Sequence, residues 1–163
     1  SPGGGTLPDG SSPPATANRG PRNYSGRAGV GGAMARLHQT FLQVTDVDAT
    51  VSCYEDVFGL AVAERSESKV TFRTGECELV VQQEFDAETL SAYGMTPAGP
   101  DRGDGVVVVL EVADVDAVHE RAVDYGATVL AEPREVEWGR KLCLIADPDG
   151  YVFELSRPLE SAD

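Results

Sequence analysis

The sequence predicts an α+β fold of two tandem βαβββ modules, and three observations carry the prediction. Residues 44–63, "VTDVDATVSCYEDVFGLAVA", and 112–131, "VADVDAVHERAVDYGATVLA", share V-x-D-V-D-A at a fixed offset of 68 residues. Each copy follows an apolar run, "TFLQV" at 40–44 or "VVVVLEV" at 106–112, and each runs through a helix-like stretch to a glycine. Three short strand-like segments then follow in each half. A single module of this kind leaves one sheet face bare, so two must pair to bury it.

In chain order, the apolar run that ends at Val44 reads as the first strand. Asp46 stands between it and a helix, where a side-chain oxygen can accept from the free N–H groups of the first turn. Gly59 stands where the helix needs a left-handed residue to stop. Strands follow over Leu60–Glu64, Lys69–Arg73 and Cys77–Gln83. Residues 85–104 form a linker with one helical turn. The second module repeats the order: the run at 106–112, Asp114 as helix cap, Gly126 as stop. Its remaining strands are Thr128–Ala131, Arg140–Ile145 and Tyr151–Ser156, the last introduced by an Asp147-Pro148-Asp149-Gly150 turn.

The folded part spans 34–160, with modules at 36–84 and 105–158. Residues 1–33 hold 14 Gly or Pro and few large apolar side chains, too little burial to offset ordering entropy. They read as a disordered tail, with Met34 as a candidate natural start. The glycine run near residue 30 follows no predicted strand and opens no helix, so it is not a dinucleotide site. The chain carries a net charge of −14; the first 33 residues contribute +2, which leaves −16 on residues 34–163. That excludes nucleic acid as a partner, because phosphates need a basic surface. No stretch reads as a signal peptide or a membrane span. Three cysteines, Cys53, Cys77 and Cys143, all in apolar contexts, read as buried thiols of a reducing compartment, the cytoplasm. Two lysines against eleven arginines under so acidic a skin suit a salt-rich cytoplasm. The expected result is a melting temperature that rises with KCl; a flat or falling curve contradicts that reading.

Tandem modules with "V-x-D-V-D-A…Y-E-D-V-F-G-L" in the first and "W-G-R…D-P-D-G-Y-V-F-E-L" in the second resemble the vicinal-oxygen-chelate superfamily. That superfamily includes glyoxalase I, extradiol dioxygenases and bleomycin-resistance proteins. The resemblance covers about residues 36–158. It implies a cupped, partly open mixed β-sheet, each module supplying half the cup around a metal or small ligand, and a homodimer.

It also implies where ligands come from: the first and last strand of each module. Strand alternation puts Gln39, Phe41 and Gln43 on one face and Leu42 and Val44 on the other, under the helix. Gln39, seven residues before Asp46, holds the ligand position; its bland reading is a cavity amide satisfied by hydrogen bonds. Glu78, in "C-E-L", matches Glu154, in "F-E-L"; a solvent-facing Glu78 is the competing register. Val107, 68 residues beyond Gln39, cannot donate to a metal; Val109 and Glu111 share its face. Trp138 lies at the cup's rim, stacking on a ligand or packing on its own loop. His119 reads as solvent-facing.

Two functions follow. The first is a glyoxalase-like lyase or isomerase in which Gln39, Glu78 and Glu154 hold a divalent metal such as Mg²⁺ or Mn²⁺. Glu154 or Glu78 then shuttles a proton between adjacent carbons. The second is a metal-free cup that sequesters a small ligand, with Phe41, Gln43, Val107, Val109, Glu111 and Trp138 lining it. Val107 marks the difference between them.

Overall fold

A computed structural model describes residues 33–160; the expected tail at 1–33 falls, but for its last residue, outside them. The first module runs β1 (Gln39–Val44), α1 (Val47–Asp56), β2 (Ala61–Arg65), β3 (Lys69–Thr74) and β4 (Cys77–Gln83). The linker contributes α2 (Ala87–Ala92). The second module runs β5 (Val107–Glu111), α3 (Val115–Tyr125), β6 (Thr128–Val136), β7 (Arg140–Ala146) and β8 (Val152–Pro158). Each module is therefore βαβββ, as its repeat predicts. The eight strands divide into two mixed four-stranded sheets, ordered β1-β4-β3-β2 and β5-β8-β7-β6. In each, the first strand lies parallel to the last and the other pairings are antiparallel.

The duplicated helix signals work alike in both halves. Asp46 Oδ1 accepts from the Ala49 N–H at 3.0 Å and Asp114 Oδ1 from the Ala117 N–H at 3.0 Å, each satisfying an orphan donor of the first turn. Gly126 ends α3 in the left-handed region at φ +84°, which a side chain would strain. α1 is capped at Val57, two residues before Gly59, which is itself left-handed at φ +71°. Its end is tied across the modules, with Arg121 Nε of α3 donating to the Val57 carbonyl at 3.1 Å.

Both helices and one face of each sheet share a single core. Leu42, Val44, Phe72 and Val81 enter it from the first sheet, and Ile145, Phe153 and Leu155 from the second. Its centre is aromatic. The Tyr54 ring lies 5.4 Å from Phe72 and 5.0 Å from Phe153, and Phe58 stacks on Phe153 at 4.4 Å. The two modules thus share one hydrophobic interior.

Polar contacts fix one module against the other at the Asp147–Gly150 turn. Buried Tyr54 donates its hydroxyl to Asp147 Oδ2 at 2.6 Å, while Asp147 Oδ1 accepts from the N–H groups of Asp149 and Tyr151. Asp149 in turn accepts from the Thr45 amide at 3.1 Å and the Thr45 hydroxyl at 2.8 Å. Burial, reinforced by the Asp147 charge, holds the Tyr54 phenol well above its usual range, so it stays protonated and donates. The linker is clamped over the same turn. Arg102, its side chain only 8% exposed, pairs with Glu84 at 2.8 Å and Asp149 at 3.9 Å. Gly103 passes so close that an added Cβ would sit 2.2 Å from the Gly150 carbonyl oxygen; only glycine fits.

Candidate functional site

The sheet faces turned away from the core hold the residues that sequence alternation assigned to a cup wall. Leu42 and Val44 are buried under α1, leaving Gln39, Phe41 and Gln43 on the outer face of β1. On the second sheet Phe153 and Leu155 are buried and Glu154, half-buried, is turned the other way.

Strand pairing decides who meets whom. Gln39 lies directly opposite Glu78, and Phe41 opposite Val80. In the second sheet Val107 lies opposite Val152, Val109 opposite Glu154, and Glu111 opposite Ser156. The 68-residue repeat makes Gln39 and Val107 counterparts, so Glu78 is level with Val152, and Glu154 is level with Val80. This differs from the motif match of Glu78 to Glu154 by two residues, one step along the outer face. The reason lies in the turns: β4 starts at Cys77 directly after Gly75 and Glu76, whereas β8 starts after the longer 147–151 loop. The neighbours of Glu154 across the sheet are Val109 and Leu144.

The outer face of the second sheet is open and largely apolar: Val107 is 55% exposed and Val109 57%. Glu111 is exposed and sits 3.6 Å from the Arg140 guanidinium, which also donates to Ser156 Oγ at 3.2 Å. Trp138 is 67% exposed at the turn between β6 and β7. His119 is half-buried rather than solvent-facing.

The outer face of the first sheet is covered. The Phe41 ring stacks on Phe85 of the linker (6.3 Å, interplanar angle 9°), and Gln43 Oε1 accepts the Phe85 N–H at 3.2 Å. Sequence reasoning did not single out Phe85 or Leu90. They are large apolar residues in an otherwise polar, exposed linker, and that contrast was the available signal.

A cleft of about 1040 Å³ lies between the modules, with Glu78 on one side and Val107, Val109 and Glu111 on the other. Its volume is at the upper end of small-molecule sites. The cleft is the open counterpart of the clamped Thr45–Asp149 junction. Ala113, which the repeat places where Thr45 stands, faces the short Thr74–Gly75 turn across it. A methyl and a shorter turn stand there in place of a hydroxyl and a carboxylate. Gln39, Glu154 and Trp138 lie outside this cleft.

The described residues of one chain offer no His, Cys, Asp or Glu set that fits a divalent metal. Among the described residues no group of three or more His, Cys, Asp or Glu side chains is placed to hold an ion, and Val109 and Leu144 beside Glu154 are not donors. Also among the described residues, no helix is long and apolar enough to cross a membrane.

Residues 36–155 match the model of the Glyoxalase/Bleomycin resistance protein/Dioxygenase superfamily, and the chain belongs to that family. Uncharacterized proteins of Mycobacterium bovis and Mycobacterium tuberculosis are 36% identical over 69 residues, 42% of this chain. The match spans 45% and 40% of their lengths, respectively, less than half of these curated relatives. A family enzyme from Burkholderia phytofirmans superposes with a TM-score of 0.65 at 22% identity, covering 77% of this chain and 100% of that one. A glyoxalase-related enzyme from Fulvimarina pelagi gives 0.63 at 19% identity, covering 74% and 86%. At these identities the structures show a shared fold.

Proposed function

We propose that this protein binds a small organic cation without a metal, in a cup formed when the second-module face of one copy meets the first-module face of another. One observation carries the reading: Glu154 is a half-buried carboxylate whose direct cross-strand neighbours, Val109 and Leu144, are apolar and non-ligating, on a face where Glu111 is already beside Arg140. Such a wall suits an apolar body with one positive group, since the charge gains a partner and the body covers exposed valine. The acidic domain adds long-range attraction for a cation. A second copy would complete the cup by laying its first-module face over the exposed valines.

The test is a thermal shift with phenethylamine against phenethyl alcohol. The amine raises the melting temperature of the wild type more than the alcohol does, and Glu154→Gln erases the difference. Equal shifts for both probes in the wild type contradict the reading.

The metal-dependent lyase or isomerase is favoured by a different observation, the placement of Gln39 directly opposite Glu78. A second copy that brought its Glu154 to that pair would supply a third oxygen. Stoichiometric Mg²⁺ or Mn²⁺ in the purified, supplemented protein, lost in Glu154→Gln, is the result that reading requires.

A further inference from the structure

The outer face of the second sheet carries its polar groups in a fixed order along the strands. Val107 and Val152 pair at one end, Val109 and Glu154 come next, and Glu111 and Ser156 follow. β7 extends the same rows, with Leu144 opposite Glu154, Leu142 opposite Ser156 and Arg140 opposite Pro158. Its intervening residues, Cys143 and Ile145, enter the shared core, so Arg140 belongs to the outer face. Among the described residues no hydrogen bond or ion pair reaches the Glu154 carboxylate.

Arg140 is held at one nitrogen and unsatisfied at the others. Its Nε donates to Ser156 Oγ at 3.2 Å, and Ser156 is fully buried. That bond draws the guanidinium out of its own row to the level of Ser156, one step along the face from Glu154. Such a step is about 7 Å. Arg140 Nη2 lies 3.6 Å from Glu111 Oε1, beyond hydrogen-bond reach, and the Glu111 side chain is 67% exposed, so solvent screens the pair. The Arg140 side chain is itself 29% exposed. Among the described residues its two terminal nitrogens make no hydrogen bond. The other cations of β7 and β8, Lys141 and Arg157, pair on the opposite face, where Lys141 also bridges to Asp116 of α3. Arg134 of β6, opposite Leu142, adds positive charge to the Arg140 end.

We propose that Arg140 binds a ligand carboxylate, and that the molecule taken at this face is a zwitterion with its ammonium at Glu154, its carboxylate at Arg140 and an apolar body across Val109 and Leu144. A carboxylate offers two oxygens in one plane, which the two free nitrogens of a guanidinium can meet together. The inference rests on the proposed cation-binding reading and adds the class of ligand: an amino acid whose charges stand about 7 Å apart. An α-amino acid, with both charges on one carbon, is too short to span them.

Calorimetric titration with 4-(aminomethyl)benzoate, charged at both ends of one ring, against 4-(aminomethyl)benzamide, which lacks the negative charge, tests this. The wild type is expected to bind the benzoate about fivefold more tightly. Arg140→Gln should remove most of that preference. Glu111→Gln takes away the competing carboxylate, leaves Arg140 in place and should raise the preference about twofold; it decides the matter if Arg140→Gln does not fold. Equal affinities for the two probes, both lowered by Glu154→Gln, overturn the carboxylate site and leave the cation reading standing. A preference for the benzoate that survives Glu154→Gln and is lost in Arg140→Gln supports the carboxylate site and removes the cation reading. No saturable binding of either probe below about 10 mM contradicts both.

Discussion

Replacing Asp147 with alanine is expected to destabilise the fold by about 3–5 kcal/mol, because it leaves a buried hydroxyl and two turn amides without their acceptor. Tyr54, Asp149 and Tyr151 all donate to this one carboxylate. Tyr54→Phe removes a single bond and keeps the other two, so its cost is smaller, about 1–2 kcal/mol. Chemical denaturation with the two variants side by side checks the ranking; equal losses would show that the turn does not depend on Asp147.

The same carboxylate gives a pH signature with a definite sign. Burial is the largest influence on Asp147 and raises its pKa above the ordinary 3.8, against the three hydrogen bonds that lower it. The unfolded chain therefore releases this proton more readily than the folded one. Ionised Asp147 lowers stability at neutral pH, and that cost is relieved as pH falls through the raised folded value toward 3.8. Measured against Asp147→Asn, which does not titrate, the wild type should gain relative stability between pH 7 and about pH 4. A relative loss over that window contradicts burial as the dominant influence.

Phe153→Ala is the second large effect, an expected loss of about 3–5 kcal/mol. Phe153 is fully buried, and its ring touches Tyr54 and Phe58 of the other module. The cavity would therefore open between the two halves rather than inside one. Unfolding should remain a single transition at a lower midpoint. Two separated transitions would mean that the modules fold as independent units, contrary to a shared core.

The fold was readable because its signals are local and occur twice. Asp46 and Asp114 cap helices through bonds to residues three positions on, and the period-two pattern around Glu154 names its own face. Interactions over long sequence separations were not readable. Thr45 meets Asp149 across 104 residues, and nothing near Thr45 announces it. The level of Glu78 depends on how two turns of unequal length start their strands, which motif spacing alone set two residues away. Leu90 reads from sequence as part of a polar connector, yet it is 1% exposed. Valine at position 107 is a non-donor by its chemistry, and the pairing of Val109 with Glu154 extends that apolar character to the carboxylate's own level.

The central claim is that Glu154 serves a ligand directly and not through a metal. Calorimetric titration of the purified full-length protein with Mg²⁺ and with Mn²⁺, wild type beside Glu154→Gln, tests it most directly. The account predicts no saturable heat in the micromolar range for either ion and no difference between the two proteins. Stoichiometric micromolar binding that disappears in Glu154→Gln would contradict it and establish the metal-dependent reading.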